Sequence, residues 1–94
     1  MAHPEVWILG ASGHAKVVIA ILRAAGYEPR GLYDDDPLKV GKQLLGVPIL
    51  GPLDLLSPDH SGPLAHGIGS NAVRAKLVAR FPRAQWVNAV HPTA

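Results

Sequence analysis

The sequence predicts an α/β domain in which a small parallel sheet of about four strands carries helices on both faces. Two observations predict this class. Short apolar runs of strand length alternate with two longer segments whose apolar residues recur at helical spacing. Glycine or proline punctuates most of the boundaries between these segments. Strands that alternate with helices are typically joined by right-handed crossovers into one parallel sheet.

The first strand and the first helix flank a turn rich in small residues. Residues 6–9 form a short, continuous apolar run, as expected of a central parallel strand that is covered on both faces. The chain then turns through Gly10-Ala11-Ser12-Gly13 and enters a helix predicted over residues 14–25, which Gly26 should end. The predicted core-facing stripe of this helix consists of Val17, Val18, Ile21, Leu22 and Ala25.

The remaining predicted elements follow in chain order. They are a strand at 27–34, an irregular stretch at 38–46, a short strand at 47–50, a helical turn at 53–56, a strand at 64–69, a helix at 72–81 and a strand at 85–90. Pro29 has no N–H to donate, so we expect it at the start of its strand or on an edge. In the second helix, Val73, Leu77 and Phe81 recur at helical spacing and predict its buried face.

Composition limits the classes of function. The chain has 94 residues, 48% of them hydrophobic, and a formal net charge of +2 without any basic run, so no nucleic-acid partner is expected. Cysteine is absent, which excludes disulfides and thiolate metal sites. No segment approaches the ~20 apolar residues that would cross a bilayer. The first residues lack the pattern of a signal peptide, so a cytoplasmic protein without a membrane partner is expected.

The turn after the first strand is the first candidate binding site. A helix start offers free backbone N–H groups and the positive end of the helix dipole, which suits the phosphate of a nucleotide or a nucleotide-sugar. Gly10 permits the tight turn, Gly13 allows close approach of a ligand, and Ser12 and His14 can add side-chain hydrogen bonds. The glycine fingerprint of dinucleotide sites is matched only in part, because its third and sixth places hold serine and alanine. A tight turn without a ligand is the alternative.

An acidic run at the end of the second strand is the second candidate. Asp34 and Asp35 stand roughly 20 residues after the turn, where an acidic side chain commonly accepts hydrogen bonds from the ribose or base of a nucleotide. Asp35 and Asp36 are expected to face solvent more than Asp34 does. A solvated acidic turn before Pro37 is the alternative. No matching set of histidine or glutamate is visible, so no metal is predicted.

The segment between the third principal strand and the second helix is the third candidate. Gly69 allows close approach of a ligand, and either Ser70 or Asn71 can cap the helix or contact a ligand. Arg74, one turn into the helix, could reach a phosphate, although a solvated surface position is the alternative. No set of residues forms a catalytic constellation, so no catalytic residue is assigned.

Taken in order, five segments resemble the N-terminal domain of bacterial sugar acetyltransferases. These enzymes acetylate sialic acid or the amino group of UDP-linked amino sugars. The segments are residues 10–18, 31–37, 46–51, 67–74 and 91–94. Each segment alone is unspecific, but the ordered set covers nearly the whole chain and is specific.

The resemblance implies a Rossmann-like domain over residues 1–90 that binds a UDP-linked or related sugar as the acceptor of an acetyl group. It places Ser12, Gly13 and His14 at the diphosphate and Asp34 and Asp35 at the uracil or ribose. Gly69, Ser70 and Asn71 are implied to line the same cleft, and Gly10, Ala11 and Arg74 complete the predicted set.

Residues 91–94 look like the entry to a left-handed β-helix of hexapeptide repeats, which this sequence does not contain. In such families the β-helix binds acetyl-CoA, forms a trimer and supplies the catalytic histidine. We therefore expect this chain to bind its ligand without turning it over, and to hold no cofactor of its own. The alternatives are a small NAD(H)-binding redox or sensor module and an interaction module whose turns are purely structural.

Overall fold

The computed structural model describes residues 4–11, 13–66 and 71–87. Its helices and strands are, in chain order, β1 (Glu5–Leu9), α1 (Gly13–Ala24), β2 (Glu28–Tyr33), β3 (Gln43–Leu44), β4 (Val47–Gly51), a 3-10 turn (Leu53–Leu55), β5 (Pro63–His66), α2 (Asn71–Arg80) and β6 (Gln85–Trp86). Among the described residues the strands form one six-stranded sheet in the order β3-β4-β2-β1-β5-β6. This confirms the predicted α/β class.

The sheet is parallel apart from its β3 edge. β1 pairs in parallel with β2 on one side and with β5 on the other, and β4 and β6 extend the parallel set outward. β3 is a short antiparallel addition to β4. The chain therefore runs outward from β1 in both directions, which is the doubly wound arrangement of Rossmann-like domains.

Two clusters of buried side chains show that the helices cover opposite faces of the sheet. On the first face, Val18 and Leu22 of α1 join a cluster with Ile8 of β1. On the second face, the cluster includes Leu9 of β1 and Leu77 of α2. Because successive side chains of a strand point to opposite faces, Ile8 and Leu9 divide β1 between the two layers. Helices on both faces were predicted, and the structure confirms them.

The short strands at the sheet edges were the hardest to predict. β3 lies inside the stretch that the sequence predicted to be irregular, because two residues are too few to show an alternating pattern. β5 and β6 coincide with the beginnings of the predicted strands at 64–69 and 85–90. The remainders of those two predictions, 67–69 and 88–90, lie outside the described residues.

The predicted buried stripe of α1 was partly wrong. Val17 is 45% exposed, Ala25 is exposed and Ile21 is half-buried, whereas Val18 and Leu22 are buried as predicted. The buried face consists of Ala15, Val18, Ile19 and Leu22. The helix is apolar around much of its circumference, so periodicity alone allowed more than one stripe. Contact with the sheet selected the stripe that is buried.

The end of α1 confirms the predicted glycine stop. Gly26 has a φ of +91°, a left-handed conformation that glycine adopts without steric cost. Its N–H donates to the carbonyl of Arg23 at 3.1 Å, and the N–H of Tyr27 donates to the carbonyl of Leu22 at 2.9 Å. This pair of hydrogen bonds is the Schellman motif, which satisfies carbonyls left open by the helix end.

The second helix buries the predicted face as far as the structure describes it. Leu77 is 6% exposed and Phe81 is completely buried, and both belong to the cluster on the second face of the sheet. The side chain of Val73 lies outside the described residues. No helix among the described residues is long and apolar enough to cross a membrane.

Candidate functional site

The three segments that the sequence singled out follow neighbouring strands at one edge of the sheet. Leu9, at the end of β1, pairs with Tyr33 at the end of β2 and with His66 at the end of β5. Because all three strands are parallel, the chain leaves each of them at the same carboxyl edge, where ligands of doubly wound folds bind. Among the predicted site residues, Ser12, Gly69 and Ser70 lie outside the described residues.

The turn after β1 is fixed to β2 by its own backbone. Gly10 has a φ of +94°, and its N–H donates to the carbonyl of Tyr33 at 2.7 Å. The N–H of the buried Ala11 donates to Oδ2 of Asp34 at 2.8 Å. Neither N–H is therefore left for a ligand. An anion at this turn would use the N–H groups at the start of α1, which include those of Gly13 and His14. The first N–H groups of a helix have no acceptor within the helix.

Asp34 is the centre of the described part of the site. Its Oδ2 accepts the hydrogen bond from Ala11, and its Oδ1 accepts one from the N–H of Asp36 at 2.8 Å. Its side chain is only 17% exposed. Nζ of Lys39 lies 3.7 Å from Oδ2 of Asp34 and donates to the carbonyl of Ala11 at 3.3 Å. We call Ala11, Asp34 and Lys39 the loop clamp, because together they fasten the turn after β1 to the end of β2.

The surroundings of Asp34 keep its carboxylate charged. Burial acts to raise the pKa of Asp34, but the hydrogen bonds from Asp36 and Ala11 and the charge of Lys39 outweigh it. The pKa of Asp34 is therefore lowered from its ordinary value of 3.8. A carboxylate that accepts backbone N–H bonds favours its charged form in this way.

The other two members of the acidic run also hold backbone groups. Oδ1 of Asp35 accepts a hydrogen bond from the N–H of Leu53 at 2.9 Å, and Oδ1 of Asp36 accepts one from Leu38 at 3.0 Å. Asp35 is exposed and Asp36 is half-buried. In each of these two carboxylates, Oδ2 has no hydrogen bond among the described residues, so it can accept one from a ligand.

The predicted residues on α2 are only partly described. Asn71 is the first residue of α2, and its side chain lies outside the described residues. Arg74 is exposed and lines a hollow of about 190 Å³ together with His66, Val78, Trp86 and Val87. The indole Nε1 of Trp86 is buried and has no hydrogen-bond partner among the described residues.

Lys39 is the site residue that sequence reasoning missed. It lies between β2 and β3, in a stretch whose sequence shows neither helical nor strand periodicity. Its position shortly after an acidic run is a signal in the sequence that could have indicated it, because a basic side chain can pair with a nearby carboxylate. The described residues contain no group of three or more histidine, cysteine or acidic side chains that could hold a metal ion.

A parallel sheet in this order, with a helix start beside an acidic strand tip, defines the class of Rossmann-like domains. Comparison with known proteins places the chain within that class. Residues 5–81 match the sequence pattern of the PglD N-terminal domain, and the chain belongs to this family. The resemblance stated from the sequence is thereby confirmed.

Solved structures with the same fold come from Caulobacter crescentus. PerB, in complex with CoA and GDP-perosamine, is 38% identical with a TM-score of 0.75, and the match covers 94% of this chain and 42% of PerB. A mutant of perosamine N-acetyltransferase, with the same two ligands, is 36% identical with a TM-score of 0.72, covering 94% of this chain and 43% of that one. The chain thus spans less than half the length of these relatives.

A curated relative comes from a virus. An uncharacterized protein of Acanthamoeba polyphaga mimivirus is 32% identical over 89 residues, which cover 95% of this chain and 18% of that protein.

Proposed function

We propose that this chain binds a nucleoside-diphosphate-linked amino sugar and, in the full protein, holds it as the acceptor for acetyl transfer from acetyl-CoA. The observation that carries the proposal is the similarity, at 36% and 38% identity over 94% of the chain, to Caulobacter enzymes whose structures contain CoA and GDP-perosamine. The acetyl-CoA site, the catalytic histidine and a trimeric assembly are proposed for the full protein, outside residues 1–90. Residues 91–94 are proposed as the link to that part.

The diphosphate is proposed to lie at the start of α1. Ser12, Gly13 and His14 would meet it, because the first N–H groups of a helix and the dipole behind them favour an anion. Gly10 and Ala11 would shape the turn, since their N–H groups are already engaged with β2. This division of roles within the turn is sharper than the sequence allowed.

The base or ribose is proposed to lie at the acidic run. Asp35 is the better acceptor, because its Oδ2 is open while both oxygens of Asp34 already accept backbone N–H bonds. Asp34 would support the site by holding the turn. Gly69, Ser70 and Asn71 are proposed to line the opposite side, because the chain leaves β5 next to the end of β1, and Arg74 follows on α2.

The proposal covers nucleoside diphosphates as a class and does not choose between uridine and guanosine. The resemblance implied a UDP-linked or related sugar, whereas the solved relatives hold GDP-perosamine. Uracil and guanine both present N–H donors on their base-pairing edges, and a carboxylate oxygen at the strand tip can accept from either. An NAD(H) site is less well supported, because Asp34 is engaged within the loop clamp and is not free to hold ribose hydroxyls in the dinucleotide manner.

Isothermal titration of the chain with GDP, UDP, their amino-sugar conjugates and NAD tests the proposal. We expect a guanosine or uridine diphosphate to bind and NAD to bind more weakly or not at all. Tighter binding of NAD, or no binding of any uridine or guanosine nucleotide, would contradict the proposal.

Asp35→Asn provides a sharper version of this test. Asparagine keeps the Oδ1 acceptor for Leu53 and replaces the open Oδ2 by an NH₂ donor. We expect nucleotide affinity to fall about tenfold, the equivalent of one lost hydrogen bond to a charged acceptor, with unchanged stability. Asp59→Asn, in an exposed loop, makes the same change in charge and should leave affinity unaltered.

A further inference from the structure

We propose that Lys39 is a positioning residue of the nucleotide site. Its ammonium group neutralises Asp34 and binds the carbonyl of Ala11, so that the turn after β1 keeps its shape and the half-buried carboxylate does not repel the incoming diphosphate. This inference rests on the proposed function and deepens it, because it names the cation on which diphosphate binding depends.

The contacts of Lys39 connect the two segments that the ligand would meet. Nζ of Lys39 donates to the carbonyl of Ala11 at 3.3 Å and lies 3.7 Å from Oδ2 of Asp34. The side chain of Lys39 is 33% exposed and that of Asp34 is 17% exposed, so water screens this pair only in part. Lys39 thereby joins the turn before α1 to the tip of β2.

The site needs this cation because Asp34 is charged and stands beside the turn. Oδ2 of Asp34 accepts the N–H of Ala11, which lies two residues before the first residue of α1. An unpaired carboxylate so close to a diphosphate would weaken its binding through like-charge repulsion. Among the described residues, the other ion pairs are Arg30 with Glu5 and Arg80 with Asp54, and neither involves Asp34.

The test replaces Lys39 by methionine and compares it with Lys42→Met. Lys42 is exposed in the same segment and has no ion pair among the described residues, so the control makes the same change in charge and side chain. Salt and water screen the repulsion between Asp34 and the diphosphate only in part. We therefore expect Lys39→Met to weaken GDP or UDP binding fivefold to tenfold. Lys42→Met should leave the Kd within about twofold, as expected of an exposed charge that makes no ion pair and is screened by salt.

Two further measurements separate this role from a purely structural one. The loss in Lys39→Met should be larger for the nucleoside diphosphate than for the monophosphate, because repulsion grows with ligand charge. Lys39→Arg, which keeps the charge, should restore most of the affinity. The defect of Lys39→Met should also shrink when Asp34→Asn removes the carboxylate.

The outcomes distinguish this inference from the proposed function. If the unaltered chain binds no nucleotide, the proposed function fails and this inference fails with it. If the unaltered chain binds a nucleoside diphosphate and folded Lys39→Met binds it equally well, this inference alone is overturned. Equal losses for the diphosphate and the monophosphate, or no recovery in Lys39→Arg, would also overturn it. Circular dichroism and urea denaturation of each variant establish that it is folded.

Discussion

At the scale of single residues, the acidic run that follows β2 has a structural role as well as being a candidate binding segment. Each of its three carboxylates accepts at least one backbone N–H. The first, Asp34, accepts two, from Ala11 and Asp36. The second accepts the N–H of Leu53 and the third accepts that of Leu38. By accepting these N–H groups, which range from partly buried to exposed, the carboxylates fix the chain that leaves the carboxyl edge of the sheet. The sequence offered binding and solvation as alternatives for this run. The structure adds a third role, which is to shape the site.

Asp34→Asn is expected to destabilise the fold. Asparagine offers one acceptor oxygen where Asp34 uses two, so either Ala11 or Asp36 loses its acceptor and Lys39 loses its ion pair. Because these hydrogen bonds are only partly buried, the free energy of unfolding at pH 7 should fall by about 1–2 kcal/mol, the lower part of the range for an unsatisfied donor. Urea denaturation measures this change, and Asp59→Asn, at an exposed loop position, serves as the control of equal charge.

The pH dependence of stability should change in the same variant. Because folding lowers the pKa of Asp34 from 3.8, its charged form contributes stability that is fully present above that value. This stability is lost as the pH falls through the lowered pKa of the folded state. Asp34→Asn should therefore lose less stability than the unaltered chain when urea denaturation is repeated at successively lower pH below 5. If the free energy of unfolding falls equally with pH in both proteins, Asp34 contributes no pH-dependent stability.

At the scale of the elements, apolar periodicity predicted the extent of α1 but not its buried face. The helix was predicted within one residue at either end, and Gly26 ends it as expected. The choice of buried face was not determined by the sequence, because Val17, Val18, Ile19, Ile21 and Leu22 are apolar on several sides of the helix. A helix of this kind takes its orientation from the sheet beneath it.

Two adjacent valines test the orientation of α1. Val18 is 2% exposed and Val17 is 45% exposed. Val18→Ala should lower the free energy of unfolding by about 2 kcal/mol, since it removes buried carbons and leaves a cavity. Val17→Ala should change it by less than about 0.5 kcal/mol, because little area is lost and alanine has the better helix propensity. Equal losses would instead support the stripe predicted from the sequence.

At the scale of the whole molecule, the order of the strands determines which segments lie side by side at the candidate site. β1 lies between β2 and β5, so segments far apart in the sequence leave the sheet beside one another. A ligand at this edge would contact the ends of several strands and the start of α1 together. Binding there should therefore stabilise the whole domain against unfolding, not only the turn that meets the phosphate.

Thermal unfolding with and without nucleotide tests this coupling. A ligand at 100 times its Kd stabilises the folded state by about 2.7 kcal/mol. In a domain of this size each kcal/mol raises Tm by about 4–8 °C, so the total shift should be roughly 10–20 °C. NAD at the same concentration should give a smaller shift. A nucleoside diphosphate that binds by titration yet leaves Tm unchanged would show that it also binds the unfolded chain.

The sequence by itself determined the fold class and the order of the main elements, and it predicted three candidate site segments, each of which follows one of three neighbouring parallel strands. It could do so because these properties depend on local patterns: apolar periodicity, glycine and proline at boundaries, and polar residues directly after strands. The ordered set of short motifs added the family, which the match over residues 5–81 confirmed.

Only the tertiary structure decided which face of α1 is buried, which N–H groups of the turn are engaged with β2 and Asp34, and that Lys39 contacts the turn. Each of these depends on partners distant in the sequence: the sheet under α1, Tyr33 and Asp34 for the turn, and Ala11 for Lys39. Local patterns carry no information about such partners. Packing and hydrogen bonding bring them together only when the sheet has formed.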